Sequence, residues 1–187
     1  MVIMTVMPRE ARDWTVEDLD QLPDDGLQYE LLDGMLLVTP APVPVHQRAI
    51  GNLYLLLRRV CPPGVEVFLA PLDWRPDLHS SLQPDLLVVR NEDVGPTNIT
   101  RPLVLAVEVL SPSTRRKDRV LKRSKYEEAG VQHYWMIDPA APSVLALDLT
   151  DVGYVTSAEA TGDGVAEIEG PCRVEIVPRD LVREPQG

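Results

Sequence analysis

The chain has 187 residues, 44% of them hydrophobic and 25% charged, which is an ordinary composition for one globular domain spanning residues 1–187. Its net charge of −11 at pH 7 argues against a large non-specific nucleic-acid surface, because phosphate binding depends on clustered Lys and Arg. Cys61 and Cys172 lie far apart, so neither a disulfide framework nor a cysteine zinc site is indicated. No signal peptide or membrane span is apparent, and we expect a soluble cytoplasmic protein.

The first half of the chain predicts two helices, a hairpin and a strand. Thr15 is expected to cap a short helix that ends near Leu22. Asp33-Gly34 predicts the turn of a hairpin, and residues 45–60 have the apolar spacing of a helix. Residues 65–69 should form a strand, followed by an irregular stretch that contains Asp73-Trp74 and Pro76.

The second half predicts more strands around one helix. Two apolar runs, 86–89 and 103–110, have the composition of buried strands. A helix should open at residues 111–114 and close at Gly130. Further strands are expected at 133–138, 143–149, 152–156 and 174–177, with a helical turn near Asp180. This order predicts a mixed sheet with helices packed on it, in an α/β or α+β arrangement.

Glu108 is the most informative residue because it interrupts an otherwise apolar strand. A buried ionised carboxylate must be paired, hydrogen-bonded, metal-bound or protonated. Asp85 begins the preceding strand, so the two carboxylates can meet at one end of the sheet if those strands are neighbours. Oxygen ligands of this kind suit Mg²⁺ or Mn²⁺, which would polarise a phosphate, activate a water and stabilise the leaving oxygen.

A cationic helix follows these strands. Residues 115–125 hold seven of the eighteen basic residues of the chain. Asp118, Lys122 and Tyr126 recur every four residues, on one helical face that could direct Lys122 toward the sheet end. A lysine there would stabilise developing charge or orient the attacking water.

These segments together resemble a known family. The stretches that carry the resemblance are Pro84-Asp85, residues 107–114, Asp118 with Lys122, and Tyr126 with residues 130–139, supported more loosely by residues 29–34 and His46. They resemble the PD-(D/E)XK nuclease superfamily and, more narrowly, its Uma-two branch of restriction-endonuclease-like proteins. In that branch the lysine is thought to have moved from the strand to the following helix, which fits Leu110 and Lys122.

The resemblance implies a site and an activity. Asp85 and Glu108 would be metal ligands together with the Val109 carbonyl, and Lys122 would be the catalytic lysine. Glu30 and His46 would be accessory. The implied protein is a Mg²⁺- or Mn²⁺-dependent endonuclease acting on DNA, with a restriction-endonuclease-like mixed sheet, an N-terminal hairpin and extra C-terminal strands. Two-fold pairing into a homodimer is expected of an enzyme that cuts both strands of a duplex.

Each residue also has a plainer interpretation. Glu108 could belong to a structural ion pair, and Lys122 could be a solvated partner of Asp118. Lys125 competes with Lys122 for the catalytic role, and a hairpin glutamate such as Glu30 usually faces solvent. His46 is more often a packing residue than a ligand.

Residues at the start of the helix could serve either the fold or a ligand. Ser111 and Thr114 most simply satisfy backbone donors there, although with Lys125 they could also bind phosphate. The alternative function for the whole chain is a non-catalytic nucleic-acid- or protein-binding module that retains the nuclease fold.

Overall fold

The computed structural model describes residues 13–23, 25–39, 41–111 and 118–184. The helices are α1 (Val16–Leu19), α2 (Pro44–Val60), α3 (Arg123–Glu128) and α4 (Pro178–Val182). A 3₁₀ turn covers Asn91–Asp93, and a π-helical segment, Asp118–Lys122, leads directly into α3. The strands are β1 (Gln28–Leu32), β2 (Met35–Thr39), β3 (Val65–Leu69), β4 (Trp74–Asp77), β5 (Ser80–Leu82), β6 (Leu86–Arg90), β7 (Leu105–Val109), β8 (His133–Asp138), β9 (Ser143–Thr150), β10 (Gly153–Thr161), β11 (Ala166–Ile168) and β12 (Val174–Ile176).

The larger sheet has six strands in the order β10-β9-β8-β7-β6-β3. Only the β7–β8 pair is parallel among its described pairings, and the other neighbours are antiparallel. All five residues of β7 are buried, as its apolar sequence predicts for a central strand covered on both faces. The predicted mixed sheet with flanking helices is therefore confirmed.

The predicted hairpin is also confirmed, and it belongs to a second sheet. Asp33 and Gly34 have φ values of 48° and 76°, the left-handed conformation that a two-residue hairpin turn requires. The hairpin is extended into a four-stranded sheet with the order β2-β1-β5-β4.

The prediction of an irregular stretch around Asp73-Trp74 and Pro76 is wrong, because residues 74–77 form strand β4. Trp74 is fully buried in this strand, and its indole N–H donates to the Arg101 carbonyl at 2.9 Å.

Each face of the larger sheet has its own apolar core. On one face, α2 packs with β11, β12 and α4, and their apolar side chains join Val107 and Val109 of β7. On the other face, the four-stranded sheet and α3 pack against Ala106 of β7 and the residue that follows the strand, Leu110. Side chains of a strand alternate between faces, so Glu108 lies on the same side as Ala106 and Leu110. This side carries the candidate site.

The remaining predictions compare closely with the structure. The Thr15 capping box is present, although α1 ends at Leu19, and Gly130 with φ 75° follows α3 as predicted. The last long hairpin is longer than predicted, because β10 extends to Thr161. The predicted helix start at residues 112–114 lies outside the described residues. Within the part of the chain that the structure describes, no helix is both long and apolar enough to cross a membrane.

Candidate active site

Asp85 and Glu108 lie side by side at one end of the larger sheet. Strands β6 and β7 are antiparallel neighbours, with Leu86 opposite Val107. Continuing that register by one residue places Asp85 opposite Glu108. The backbone N–H of Val109 donates to Asp85 Oδ2 at 2.7 Å, which fixes the Asp85 carboxylate against β7. The neighbouring strands that the sequence argument required are therefore present.

Lys122 lies between two buried carboxylates. Its Nζ donates to Glu108 Oε1 at 3.0 Å and to Glu30 Oε1 at 2.9 Å. Only 5% of Lys122, 5% of Glu30 and 4% of Glu108 is exposed. Buried charges of this kind are stable only when they are paired, since desolvating each ion costs several kcal/mol. The alternative interpretation of Lys122 as a solvated surface lysine is wrong.

The expectation that Glu30 faces solvent is also wrong. Strand β1 lies between β2 and β5, and its sheet covers one face of the larger sheet, so a β1 side chain can point into the molecule. Glu30 Oε1 accepts a second hydrogen bond from the backbone N–H of Gln83 at 2.8 Å. The hairpin therefore brings a second carboxylate to the Lys122 ammonium.

Tyr126 is a member of the cluster to which the sequence argument assigned no role. Its hydroxyl donates to Glu108 Oε1 at 2.7 Å, and its ring stacks on Trp74 with centroids 5.4 Å apart. Burial, reinforced by the negative charge of Glu108, raises the pKa of Tyr126 well above its usual value. The hydroxyl therefore stays protonated and serves as a fixed donor. Its spacing of one helical turn after Lys122 was the available sequence signal.

The helix geometry explains which side chains reach Glu108. Lys122 ends the π-helical segment and has α-helical φ and ψ, so Tyr126 follows it by one α-helical turn on the same face. The predicted face that also included Asp118 is not regular, because the Asp118–Lys122 turn is wider than an α-helical turn. Segments of this type often occur at functional sites.

His46 approaches the other carboxylate. It lies in the first turn of α2, which begins at Pro44, and it is buried. Its Nε2 is 3.4 Å from Asp85 Oδ2, and 20% of the Asp85 side chain is exposed. At this distance the contact is longer than a good hydrogen bond, and it becomes a charge pair only when the imidazole is protonated. The structure thus brings both accessory candidates to the site.

Lys125 occupies a different environment from Lys122. Its Nζ lies 2.7 Å from Asp33 Oδ1 and 2.6 Å from Asp77 Oδ2, so it ties the hairpin turn to the end of β4. Burial alone would lower the pKa of Lys125, but the hydrogen bonds to both carboxylates raise it overall. This pairing does not favour a phosphate contact. Ser111 lies half-buried just after β7, and Thr114 lies outside the described residues.

A divalent cation needs several oxygen donors that converge on one point. Within residues 13–111 and 118–184, apart from positions 24 and 40, no group of three or more His, Cys, Asp or Glu side chains converges in a way that could hold a metal. Asp85, Glu108 and the Val109 carbonyl nevertheless offer hard oxygen donors on two adjacent strands, the type that Mg²⁺ and Mn²⁺ prefer. The chemistry of these donors, taken by type, suits such a cation.

Comparison with known proteins identifies the family and the fold. The Uma2 family, described as "Putative restriction endonuclease", matches residues 16–170. The chain belongs to the Uma2 family. A solved structure, a "putative nuclease belonging to DUF820" from Anabaena variabilis, is 18% identical and superposes with a TM-score of 0.71 over 90% of this chain and 97% of the other. At that identity the match shows a shared fold. A search of curated proteins finds no match.

Proposed function

We propose that this Uma2-family protein is a metal-dependent endonuclease that hydrolyses phosphodiester bonds of DNA. The observation that carries the proposal is the buried contact of Lys122 with Glu108, on the strand beside Asp85. A lysine and two carboxylates at one sheet end are the groups that phosphodiester hydrolysis with a divalent cation requires. The family description supports the same reaction class.

Asp85, Glu108 and the Val109 carbonyl would hold Mg²⁺ or Mn²⁺. When bound, the cation supplies the positive charge that polarises the scissile phosphate and lowers the pKa of water. The Val109 N–H holds Asp85 in place, and the Tyr126 hydroxyl holds Glu108. Such outer hydrogen bonds orient ligands and raise metal affinity.

Lys122 supplies a positive charge beside Glu108. Its ammonium, already in contact with two carboxylates, would donate to the attacking water or to a phosphate oxygen as negative charge develops. Glu30 would keep this ammonium in place when DNA enters. His46, whose Nε2 is 3.4 Å from Asp85 Oδ2, would orient that carboxylate.

DNA would be bound mainly by residues at the helix start. Three members of the basic run, Lys122, Arg123 and Lys125, donate hydrogen bonds within the protein. We propose the other basic residues of that run as phosphate contacts, with Ser111 and Thr114 as further candidates. Cutting both strands of a duplex would be served by a homodimer.

Cleavage of supercoiled plasmid tests the proposal. The chain is incubated with plasmid in Mg²⁺, in Mn²⁺ and in EDTA, alongside Glu108→Gln, Lys122→Met and, as a matched control, Glu175→Gln at an exposed strand position. We expect nicked and linear DNA only with metal, a loss of at least about 100-fold in the two site variants, and wild-type activity in the control. Equal activity in all preparations would refute the assignment.

A second function is a binding module without catalysis. The net charge of −11 and the internal pairing of Lys122 and Lys125 favour it, because both oppose the binding of an acidic polymer. This alternative predicts that Mn²⁺ raises the unfolding temperature while no nucleic acid is cut. The same purified protein, assayed for both, separates the two functions.

A further inference from the structure

Cys61 and Cys172 meet in the folded chain although 111 positions separate them. Cys61 follows the last residue of α2, and Cys172 lies in the connection between β11 and β12. Their sulfur atoms are 3.0 Å apart, and both are free thiols. The two cysteines are far apart in the sequence, which gave no indication of a disulfide, but they are close together in the fold.

We propose that Cys61 and Cys172 form a redox-responsive site that closes to an intramolecular disulfide when a peroxide oxidises it. The proposal does not depend on nuclease activity. Both residues lie in the same apolar core, so the backbone already holds the two side chains toward each other. A disulfide requires such an approach of two side chains with suitably placed backbones.

The two thiols differ in a way that assigns their roles. Cys61 is half-buried and within reach of solvent, whereas only 5% of Cys172 is exposed. The hydrogen bond from Cys172, followed by the charge of Arg58 one helical turn earlier, lowers the pKa of Cys61, while the same contact raises the pKa of Cys172. Since the thiolate is the nucleophile, Cys61 would react first.

The reaction balances with hydrogen peroxide as the oxidant. The Cys61 thiolate attacks one peroxide oxygen, an S–O bond forms, the O–O bond breaks and hydroxide leaves. That hydroxide removes the Cys172 proton to give water. The Cys172 sulfur then attacks the Cys61 sulfur, an S–S bond forms, the S–O bond breaks, and the second hydroxide becomes water with the proton that Cys61 lost earlier. Two thiols and one peroxide give one disulfide and two waters.

The bond would fasten the C-terminal segment to α2. This segment already contacts α2 through Asn52, whose side chain donates to the Leu181 carbonyl at 2.9 Å, and through Arg48, which pairs with Glu184 at 3.3 Å. A crosslink that closes so long a loop restricts the unfolded chain strongly. The oxidised protein should therefore unfold at a temperature higher by about 10 °C.

Oxidation of the purified full chain tests the proposal. Wild type is treated with stoichiometric hydrogen peroxide and analysed by thiol titration, by intact mass, by non-reducing peptide mapping and by thermal unfolding with and without dithiothreitol. We expect loss of both thiols, a mass decrease of two hydrogen atoms, a peptide joining Cys61 to Cys172, and a higher unfolding temperature that dithiothreitol reverses.

Two single variants provide the control for the order of reaction. In Cys172→Ser, a dimedone-type probe should label Cys61 as a sulfenic acid, whereas in Cys61→Ser the remaining thiol should stay reduced. Crosslinks between chains, or a Cys172 thiol that remains free in oxidised wild type, would overturn the proposal. The wild-type measurement stands even if a serine variant folds poorly.

Discussion

At the scale of single residues, the site consists of one ammonium shared by two buried carboxylates. Lys122 contacts Glu30 and Glu108 through hydrogen bonds of 2.9 and 3.0 Å. Removing one partner from such a group leaves an uncompensated buried charge, which costs more than the group contributes when complete. Substitutions at Lys122 and its partners can therefore distinguish the contribution of these residues to stability from their contribution to cleavage.

Lys122→Met is expected to lower the free energy of unfolding by about 3 kcal/mol, because two buried carboxylates lose their cation. The double variant Lys122→Met, Glu30→Gln should regain part of the lost free energy of unfolding, because one buried carboxylate is neutralised. It should still not cleave DNA. Urea unfolding and plasmid cleavage, measured on the same preparations, test this. Full stability in the single variant would show that the carboxylates do not need the lysine.

Tyr126→Phe isolates the hydroxyl that holds Glu108. We expect the Mg²⁺ concentration for half-maximal cleavage to rise about tenfold, as for other outer partners of metal ligands. Tyr154→Phe is the matched control, since its buried hydroxyl donates to the Val131 carbonyl at 2.6 Å, away from Glu108. Each variant should lose roughly 1–2 kcal/mol of free energy of unfolding. Only Tyr126→Phe should change the Mg²⁺ concentration needed for half-maximal cleavage. An equal change in both would assign Tyr126 a structural role alone.

The sequence predicts the site residues to different extents, because their burial has different origins. Glu108 was found because a carboxylate inside an apolar strand is a local anomaly that any sheet must compensate. Lys122 was found through the family pattern, and its burial could not be predicted from a run of basic residues. The inward direction of Glu30 depends on how the second sheet packs on the first, which hairpin alternation alone does not specify.

At the scale of elements, the site depends on how the small sheet and α3 are joined. Strands β6 and β7 and helix α2 were predictable, because long apolar runs and helical spacing are strong signals. Strands β4 and β5 were not, since they have four and three residues and an irregular register between Trp74 and Asp77. The ion pairs of Lys125 with Asp33 and Asp77 connect the hairpin turn and the end of β4 to α3.

The pH dependence of stability tests that connection. Burial alone would raise the pKa of Asp77, but the hydrogen bond from Lys125 lowers it below its usual value of 3.8. Because the folded-state pKa is depressed, the stabilisation is present above pH 3.8 and is lost as pH falls through the folded-state pKa.

Asp77→Asn should therefore be less stable than wild type at pH 7, by no more than about 1 kcal/mol since the carboxylate is partly exposed. The difference should shrink as the solution is acidified below the usual aspartate pKa. Urea unfolding of both proteins across this pH range measures it. A difference that is constant with pH would exclude the charge pair as its cause.

At the scale of the whole molecule, an acidic protein is proposed to bind an acidic polymer. The net charge of −11 opposes association, so binding must come from a local patch. Arg115, Arg116 and Lys117 are the basic residues nearest to the predicted helix start, and they lie outside the described residues. They are our candidates for that patch.

Replacing these three residues by alanine should weaken DNA binding and flatten its salt dependence. Each phosphate contact contributes about 0.9 to the slope of log K against log salt, so the slope should fall by up to about 3. Binding to a short duplex in Ca²⁺, titrated at several salt concentrations, measures this slope, with Arg173→Ala at an exposed position outside the basic run as control. An unchanged slope would place the DNA elsewhere.

The central claim is that Asp85 and Glu108 together hold one divalent cation beside Lys122. Anomalous diffraction from crystals soaked in Mn²⁺ tests it most directly, with crystals of Asp85→Asn treated in the same way. The account predicts a single strong peak about 2.0–2.3 Å from both carboxylates and the Val109 carbonyl in wild type, and its absence in the variant. A peak that persists in the variant, or wild-type crystals without a peak at this position, would contradict it.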